Sequence, residues 1–340
     1  MKQLDYRVSN SRTKRKTTKA RKATFITFCL LFSVFLLIGL SYFSPAIANL
    51  QTAGLTDTKV QFSESLKPGS SSQDLSTEDE SYVLIDPLTN QVIKSHNADI
   101  QRAPASTLKL ITGLVALKSL KESDVVRVGT EVNVEGSRLG LQPGDEISVH
   151  NLLTALYVNS SNDAAAALAV KVSGSIPAFA QEINEYAATL GCQNTHFTTP
   201  HGLPDPDQYT TANDLSKIAV RFIENKELMK FVKLANAHVQ WTDGQGKLRE
   251  ADLQNTNRLL GIYPGNQGLK TGTTTEAGQC LVSYVTRSDG DYLVVLLGSK
   301  QRYRDTILLL DEAWSEQRTA AALKGLTKEP NSLILSPGIF

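Results

Sequence analysis

The 340-residue chain is 41% hydrophobic and 20% charged with a net charge of +1, so it can build a sizeable core and is not a disordered polymer. Its charge is uneven: residues 1–22 carry nine Lys and Arg against the single acid Asp5, and the remainder is mildly acidic, which argues against nucleic acid as a partner.

In chain order, residues 1–23 form a basic tail, and Thr24 to Phe43 is an apolar stretch with no charge. About 20 apolar residues suffice to cross a bilayer as a helix, and preceding basic residues keep the N-terminus in the cytoplasm. Ala46-Ile47-Ala48 also fits a signal-peptidase site. Residues 24–48 are therefore either an uncleaved membrane anchor or a cleaved signal peptide, and both place the rest of the chain outside the cytoplasm. Residues 49–80, rich in Ser, Gly, Asp and Thr, read as a flexible linker.

Folded sequence is expected over residues 81–325. Tyr82–Ile85 and Gln91–Ile93 flank Asp86-Pro87-Leu88-Thr89-Asn90 and predict a β-hairpin. Leu108, Ile111, Leu114, Val115 and Leu117 recur at helical spacing over Ser106–Leu120. Val125–Val149 reads as short strands. Helices are expected at Asn151–Val158, Asp163–Val172 and Pro177–Leu190, the last with Pro in its first turn and Gly191 at its end. Gln279–Thr286 and Tyr292–Gly298 predict a second hairpin across Ser288-Asp289-Gly290, and Arg302–Lys324 an amphipathic helix. Residues 326–340 form a tail. Strands at both ends around a helical middle predict an α+β fold: one antiparallel sheet flanked by helices, with an inserted helical lobe.

Three cysteines are too few for a disulfide framework; Cys29 lies in the apolar stretch, and Cys192 and Cys280 read as buried thiols. The five histidines are scattered, no Cys/His spacing resembles a zinc site, and neither metal nor cofactor is implied.

Three short motifs carry chemistry. In Ser106-Thr107-Leu108-Lys109 the first and last residues share a helix face, so the amine can take the Ser106 hydroxyl proton once it is neutral. Burial and nearby cations both favour neutrality. Taken alone, the signal is weak, and a helix N-cap is the plainer account of such a serine. In Ser160-Ser161-Asn162, Ser160 can relay a proton, and the Asn162 amide can bind a peptide carbonyl and orient a lysine; a capping turn is the plainer account. In Lys270-Thr271-Gly272-Thr273, the lysine adds positive potential beside the nucleophile, the two threonine hydroxyls can hold a carboxylate, and Gly272 permits close backbone approach. A lysine guarding an edge strand is the alternative.

Together and in this order, the three motifs form the pattern of penicillin-binding proteins and class A β-lactamases. The wider segments Pro104–Thr112, Ser160–Ala164, Phe197–Asp214 and Lys270–Val282 resemble the low-molecular-mass D-alanyl-D-alanine carboxypeptidases, the serine peptidase S11 family. The resemblance covers about Ser81 to Leu310. It implies a β-lactamase/transpeptidase-like fold acting on the D-Ala-D-Ala end of peptidoglycan stem peptides, with β-lactams as covalent inhibitors. It further implies Ser106 as nucleophile, Lys109 as its base, Ser160 as proton shuttle and Asn162 as a ligand for the substrate backbone. Lys270, Thr271 and Thr273 would recognise the terminal carboxylate, and the N–H groups of Ser106 and Thr273 would form the oxyanion hole. Ser161 stands where Gly or Ala is usual, and Thr273 where some members have His. With about 30 residues after Leu310, neither the extra β-rich domain nor the C-terminal anchor of many relatives is expected, so the membrane link would be N-terminal.

His201 is assigned a structural loop role, because the Ser/Lys pair already supplies base chemistry. Three other functions compete with the carboxypeptidase: a D,D-endopeptidase using the same machinery, a class A-like β-lactamase, and a non-catalytic wall-binding or penicillin-sensing module. Against the β-lactamase, none of Glu182, Glu185, Glu224, Glu227 and Glu250 begins a Glu-x-x-Leu-Asn stretch; against the module, every motif side chain is present.

Overall fold

Pairs of residues that alternate along the strands are drawn to opposite sides of a central antiparallel sheet. In the computed structural model, which describes residues 79–328, this sheet has the order β2-β1-β9-β8-β7. Its strands are β1 (Ser81–Asp86), β2 (Gln91–His96), β7 (Asn266–Thr274), β8 (Gly278–Arg287) and β9 (Gly290–Ser299). Val83, Ile85, Leu293, Val295 and Leu297 pack into the main core, while Tyr82, Leu84, Tyr292, Val294 and Leu296 pack into a second cluster around Trp314. A sheet covered on both faces needs apolar side chains on both, which is why β1 and β9 read as continuous apolar runs. The basic tail, the apolar segment and all but the last residues of the linker lie outside the described residues, as does the chain after Lys328.

Between the two halves of this sheet sits the inserted lobe. Its helices are α1 (Lys109–Ser119), α2 (Val149–Val158), α3 (Asn162–Ser173), α4 (Ile176–Thr189), α5 (Ala212–Glu224) and α6 (Lys226–Val232). Side-chain caps set several of the starts: the hydroxyls of Ser148, Ser175 and Thr211 accept from the backbone N–H groups of Asn151, Ala178 and Asp214. The first hairpin turn is held by Asp86, whose Oδ1 accepts from Leu88 N at 2.8 Å.

The lobe is not purely helical. It contains a four-stranded sheet, β3-β4-β5-β6, made of β3 (Val125–Arg127), β4 (Glu146–Ser148), β5 (Asn236–Thr242) and β6 (Leu248–Gln254). Of the expected strand region Val125–Val149, only β3 and β4 are strands, with a 3-10 turn at Thr130–Val132 between them. The last helix, α7 (Arg302–Lys328), runs past the expected Lys324. It is amphipathic only in its first half: Leu309, Leu310, Ala313 and Trp314 are buried, whereas residues 318–324 are exposed on every side.

Candidate active site

Ser106 lies in a 3-10 turn, Ala105–Leu108, that leads into α1. The turn is set against β7 by two close approaches. A Cβ on Gly272 would lie 2.8 Å from Ser106 N, and one on Gly202 (φ +82°) would lie 1.9 Å from Ala105 O. Neither position tolerates a side chain. Ala105 (φ +46°) and Ser160 (φ +66°) hold left-handed backbone although each carries a Cβ, which costs about 1–2 kcal/mol apiece. Such strain persists only where surrounding packing imposes it, and here it occurs at the Ser106 turn and at the second motif.

Lys109, one turn after Ser106, is fully buried. Its Nζ lies 2.8 Å from Ser106 Oγ, 2.7 Å from Asn162 Oδ1 and 2.6 Å from the His201 carbonyl. Burial, then the nearby Lys270, hold its pKa well below the usual lysine value, while Asp163 acts in the opposite direction. Asn162 is fixed at its other end, where Nδ2 donates to Glu135 O at 2.6 Å. Asp163, at the start of α3, accepts from the backbone N–H groups of Leu139, Gly140 and Leu141 and so anchors the loop that carries Glu135.

Lys270, on the edge strand β7, is buried, and burial followed by Arg302 pushes its pKa down to about 7. Its Nζ donates to Thr271 O at 3.0 Å. Thr271 Oγ1 is 2.6 Å from Thr256 Oγ1. Thr273 is exposed and its hydroxyl accepts from Arg302, whose guanidinium also donates to Gly272 O at 2.7 Å.

Ser106, Ser160, Thr271, Gly272 and Thr273 line one cleft of about 800 Å³, so the three motifs converge. Ser160 is almost fully buried, but it is Asn162, not Ser160, that is hydrogen-bonded to Lys109. His201 takes part through its backbone: the carbonyl holds Lys109, and the ring Nδ1 accepts from Leu203 N at 3.2 Å. Burial, then Lys109, depress the imidazole pKa to about 3, so the ring stays neutral at ordinary pH. Cys192 and Cys280 are free and buried. Sequence reasoning missed Arg302, Thr256 and Tyr303 in this cleft. None of the residues lining it, among those described, is acidic.

The model of the peptidase S11 family, described as D-alanyl-D-alanine carboxypeptidase, matches residues 68–301. D-alanyl-D-alanine carboxypeptidase DacF of Bacillus subtilis (strain 168) is 32% identical over 260 residues, which cover 74% of this chain and 66% of the relative. D-alanyl-D-alanine carboxypeptidase DacC of Escherichia coli (strain K12) is 36% identical over 232 residues, 64% of this chain and 56% of its own. The chain thus spans less than two thirds of the length of these curated relatives. Among solved structures, the DD-transpeptidase of Streptomyces K15 matches with a TM-score of 0.66 and 29% identity, over 69% of this chain and 96% of its own.

Proposed function

The chain belongs to the D-alanyl-D-alanine carboxypeptidase family, peptidase S11, and from that premise we propose that it is a serine carboxypeptidase removing the terminal D-alanine from peptidoglycan stem peptides. The observation that carries this reading is the set of partners around Lys109. Asn162 Oδ1 and His201 O are acceptors only, so each takes one N–H of the amine. A neutral lysine has two N–H groups and one lone pair. With both N–H groups engaged, the lone pair of the neutral amine would be left for Ser106 Oγ, 2.8 Å away, and could accept the hydroxyl proton.

In the proposed reaction Ser106 Oγ attacks the carbonyl carbon of the penultimate D-alanine and its proton passes to Lys109. The N–H groups of Ser106 and Thr273 receive the oxyanion. The C–N bond then breaks, and the departing D-alanine amine takes a proton from Lys109 through Ser160. Water hydrolyses the Ser106 ester with the same pair as base. Asn162 aligns the peptide backbone with the amide proton it has left, and Lys270, Thr271 and Thr273 hold the terminal carboxylate. Gly272 keeps β7 close enough to Ser106 for both functions. A cross-linked peptide presents the same D-alanyl bond, so endopeptidase cleavage is the second reading.

The cleft without a carboxylate argues against a class A-like β-lactamase, which would need a glutamate to activate water. A β-lactam carries a strained amide and a carboxylate in similar positions, but its leaving amine stays tethered and obstructs that water. Slowing deacylation tenfold needs only about 1.4 kcal/mol. Incubation with a pentapeptide should release D-alanine with turnover, whereas intact-protein mass should show a penicilloyl adduct that outlasts removal of free drug. Free enzyme returning as quickly from penicillin as from peptide would exclude this function.

The enzyme would act outside the cytoplasmic membrane, tethered or exported by residues 24–48. Among the described residues no helix is long and apolar enough to cross a membrane. Protease added to intact spheroplasts should digest the folded domain, and full protection would rule the placement out.

A further inference from the structure

A second cavity, of about 350 Å³, opens where the loop after Ser137 meets the β5–β6 turn. Its wall includes Gln142, Asp145, Trp241, Asp243, Gln245 and Arg249. Asp145 is 2% exposed, and its Oδ2 accepts from Trp241 Nε1 and from Gln142 N, both at 3.0 Å. Its Oδ1 accepts no hydrogen bond among the described residues. Asp243 Oδ1 accepts from Gln245 N at 3.0 Å and Lys247 N at 2.9 Å, and its Oδ2 takes Arg249 Nε at 2.9 Å. The terminal nitrogens of Arg249 and the side-chain amide of Gln245 make no hydrogen bond among the described residues.

The cavity therefore combines an indole, a buried carboxylate oxygen able to accept, and guanidinium and amide groups able to donate. An anion would meet two carboxylates. A cation would meet Arg249, which already neutralises Asp243. A neutral ring bearing hydroxyl donors, an acetamide acceptor and an apolar face satisfies all of these groups at once. We propose that this cavity binds an N-acetylated amino sugar of the glycan strand.

This inference rests on the carboxypeptidase reading for its link to catalysis, because the stem peptide is attached to such a sugar. The reach is suitable. Ser137 lines the catalytic cleft and Gln142 lines the second cavity. Five residues of extended chain span at most about 18 Å, and the four stem-peptide residues between the sugar and the scissile bond span about 14 Å, a distance of the same order. The connecting segment is fixed by Asp163, whose carboxylate holds Leu139, Gly140 and Leu141. A sugar seated here would place its own peptide towards Ser106 and lower KM without entering the chemistry.

The test uses the full chain and two substrates, a free pentapeptide and the same peptide on its disaccharide. The disaccharide-linked substrate should show a KM about tenfold lower at equal kcat, as expected for two or three added hydrogen bonds. The paired substitutions Gln245→Ala and Arg249→Gln should erase that advantage and leave the free pentapeptide unchanged. Gln245→Ala alone removes only an exposed side chain and should erase part of it. Separately, peptide-free disaccharide should produce a saturable change in tryptophan emission that the paired variant lacks. Equal KM values in the unmodified protein, an advantage that survives the substitutions, or no response to the disaccharide would each overturn the proposal. If the free pentapeptide is not hydrolysed, the carboxypeptidase reading fails instead, and the disaccharide titration still decides whether the cavity binds sugar.

Discussion

Ser106→Ala should abolish both covalent labelling by penicillin and release of D-alanine, and Lys109→Met should slow acylation by about a thousandfold or more. Other serines line the cleft, but Ser106 is the one hydrogen-bonded to a buried amine. A serine hydroxyl without a base is a weak nucleophile, and general-base assistance contributes about 10²–10⁴-fold. Methionine fills much of the space of Lys109 and cannot take a proton. It also leaves Asn162 Oδ1 and His201 O without their donor, at a cost of about 1–3 kcal/mol for each buried group. Thermal melting must therefore accompany the kinetics. Intact-protein mass after timed penicillin exposure reads the acylation rate. Full labelling of Ser106→Ala, or acylation of a folded Lys109→Met within tenfold of the unmodified rate, would refute the assignment.

Lys270→Met should lower kcat/KM for a D-Ala-D-Ala peptide about a hundredfold and change the pH profile at both ends. Removing one partner from a buried, hydrogen-bonded charge pair costs about 2–5 kcal/mol, and the terminal carboxylate would lose such a partner. Lys270 has its pKa pushed down to about 7, so the free enzyme loses this cation as pH rises through neutrality. The kcat/KM of the unmodified enzyme should therefore fall on the alkaline side, and the variant should lack that limb. The acid limb moves for a different reason. Lys109 acts only when neutral, so activity rises as pH climbs through its pKa. Lys270 helps to depress that pKa, and without the cation it rises. The acid limb should move to higher pH, most clearly with an acylating ester that has no carboxylate. Superimposable profiles for the two proteins would show that the lysines are not coupled.

The central sheet was legible because β1, β8 and β9 are buried on both faces and concentrate apolar residues. The second sheet was not. β5 and β6 expose most of their side chains, Val239 and Leu253 being the buried exceptions, so no apolar run marks them. Helix α5 was also missed, although Thr211 caps it and Leu215, Ile218, Ala219 and Phe222 supply a helical stripe. In the site, Ser106 and Lys109 could be paired from their spacing, because one helical turn brings them together. The His201 carbonyl could not be found that way: a main-chain oxygen has no residue type, and it reaches Lys109 only through the path of the Pro200–Gly202 loop. Arg302 was hidden for a related reason. It begins a helix that sequence spacing assigned to packing, and its role in the cleft depends on where β8 and β9 deliver that helix.

The order of strands in the central sheet would also govern when the proposed activity can appear. Among the described residues β1 is the first strand and β9 the last, yet they are neighbours, with Tyr82 opposite Leu296. Lys270 and Gly272 likewise reach the Ser106 turn only after β8 and β9 exist to hold β7. Contacts between such distant parts of a chain form late and slowly. A chain threaded outward N-terminus first would therefore keep its nucleophile segment unassembled until its final strand had emerged. Export competence and catalytic silence inside the cell would then follow from the same topology, with no inhibitory segment required.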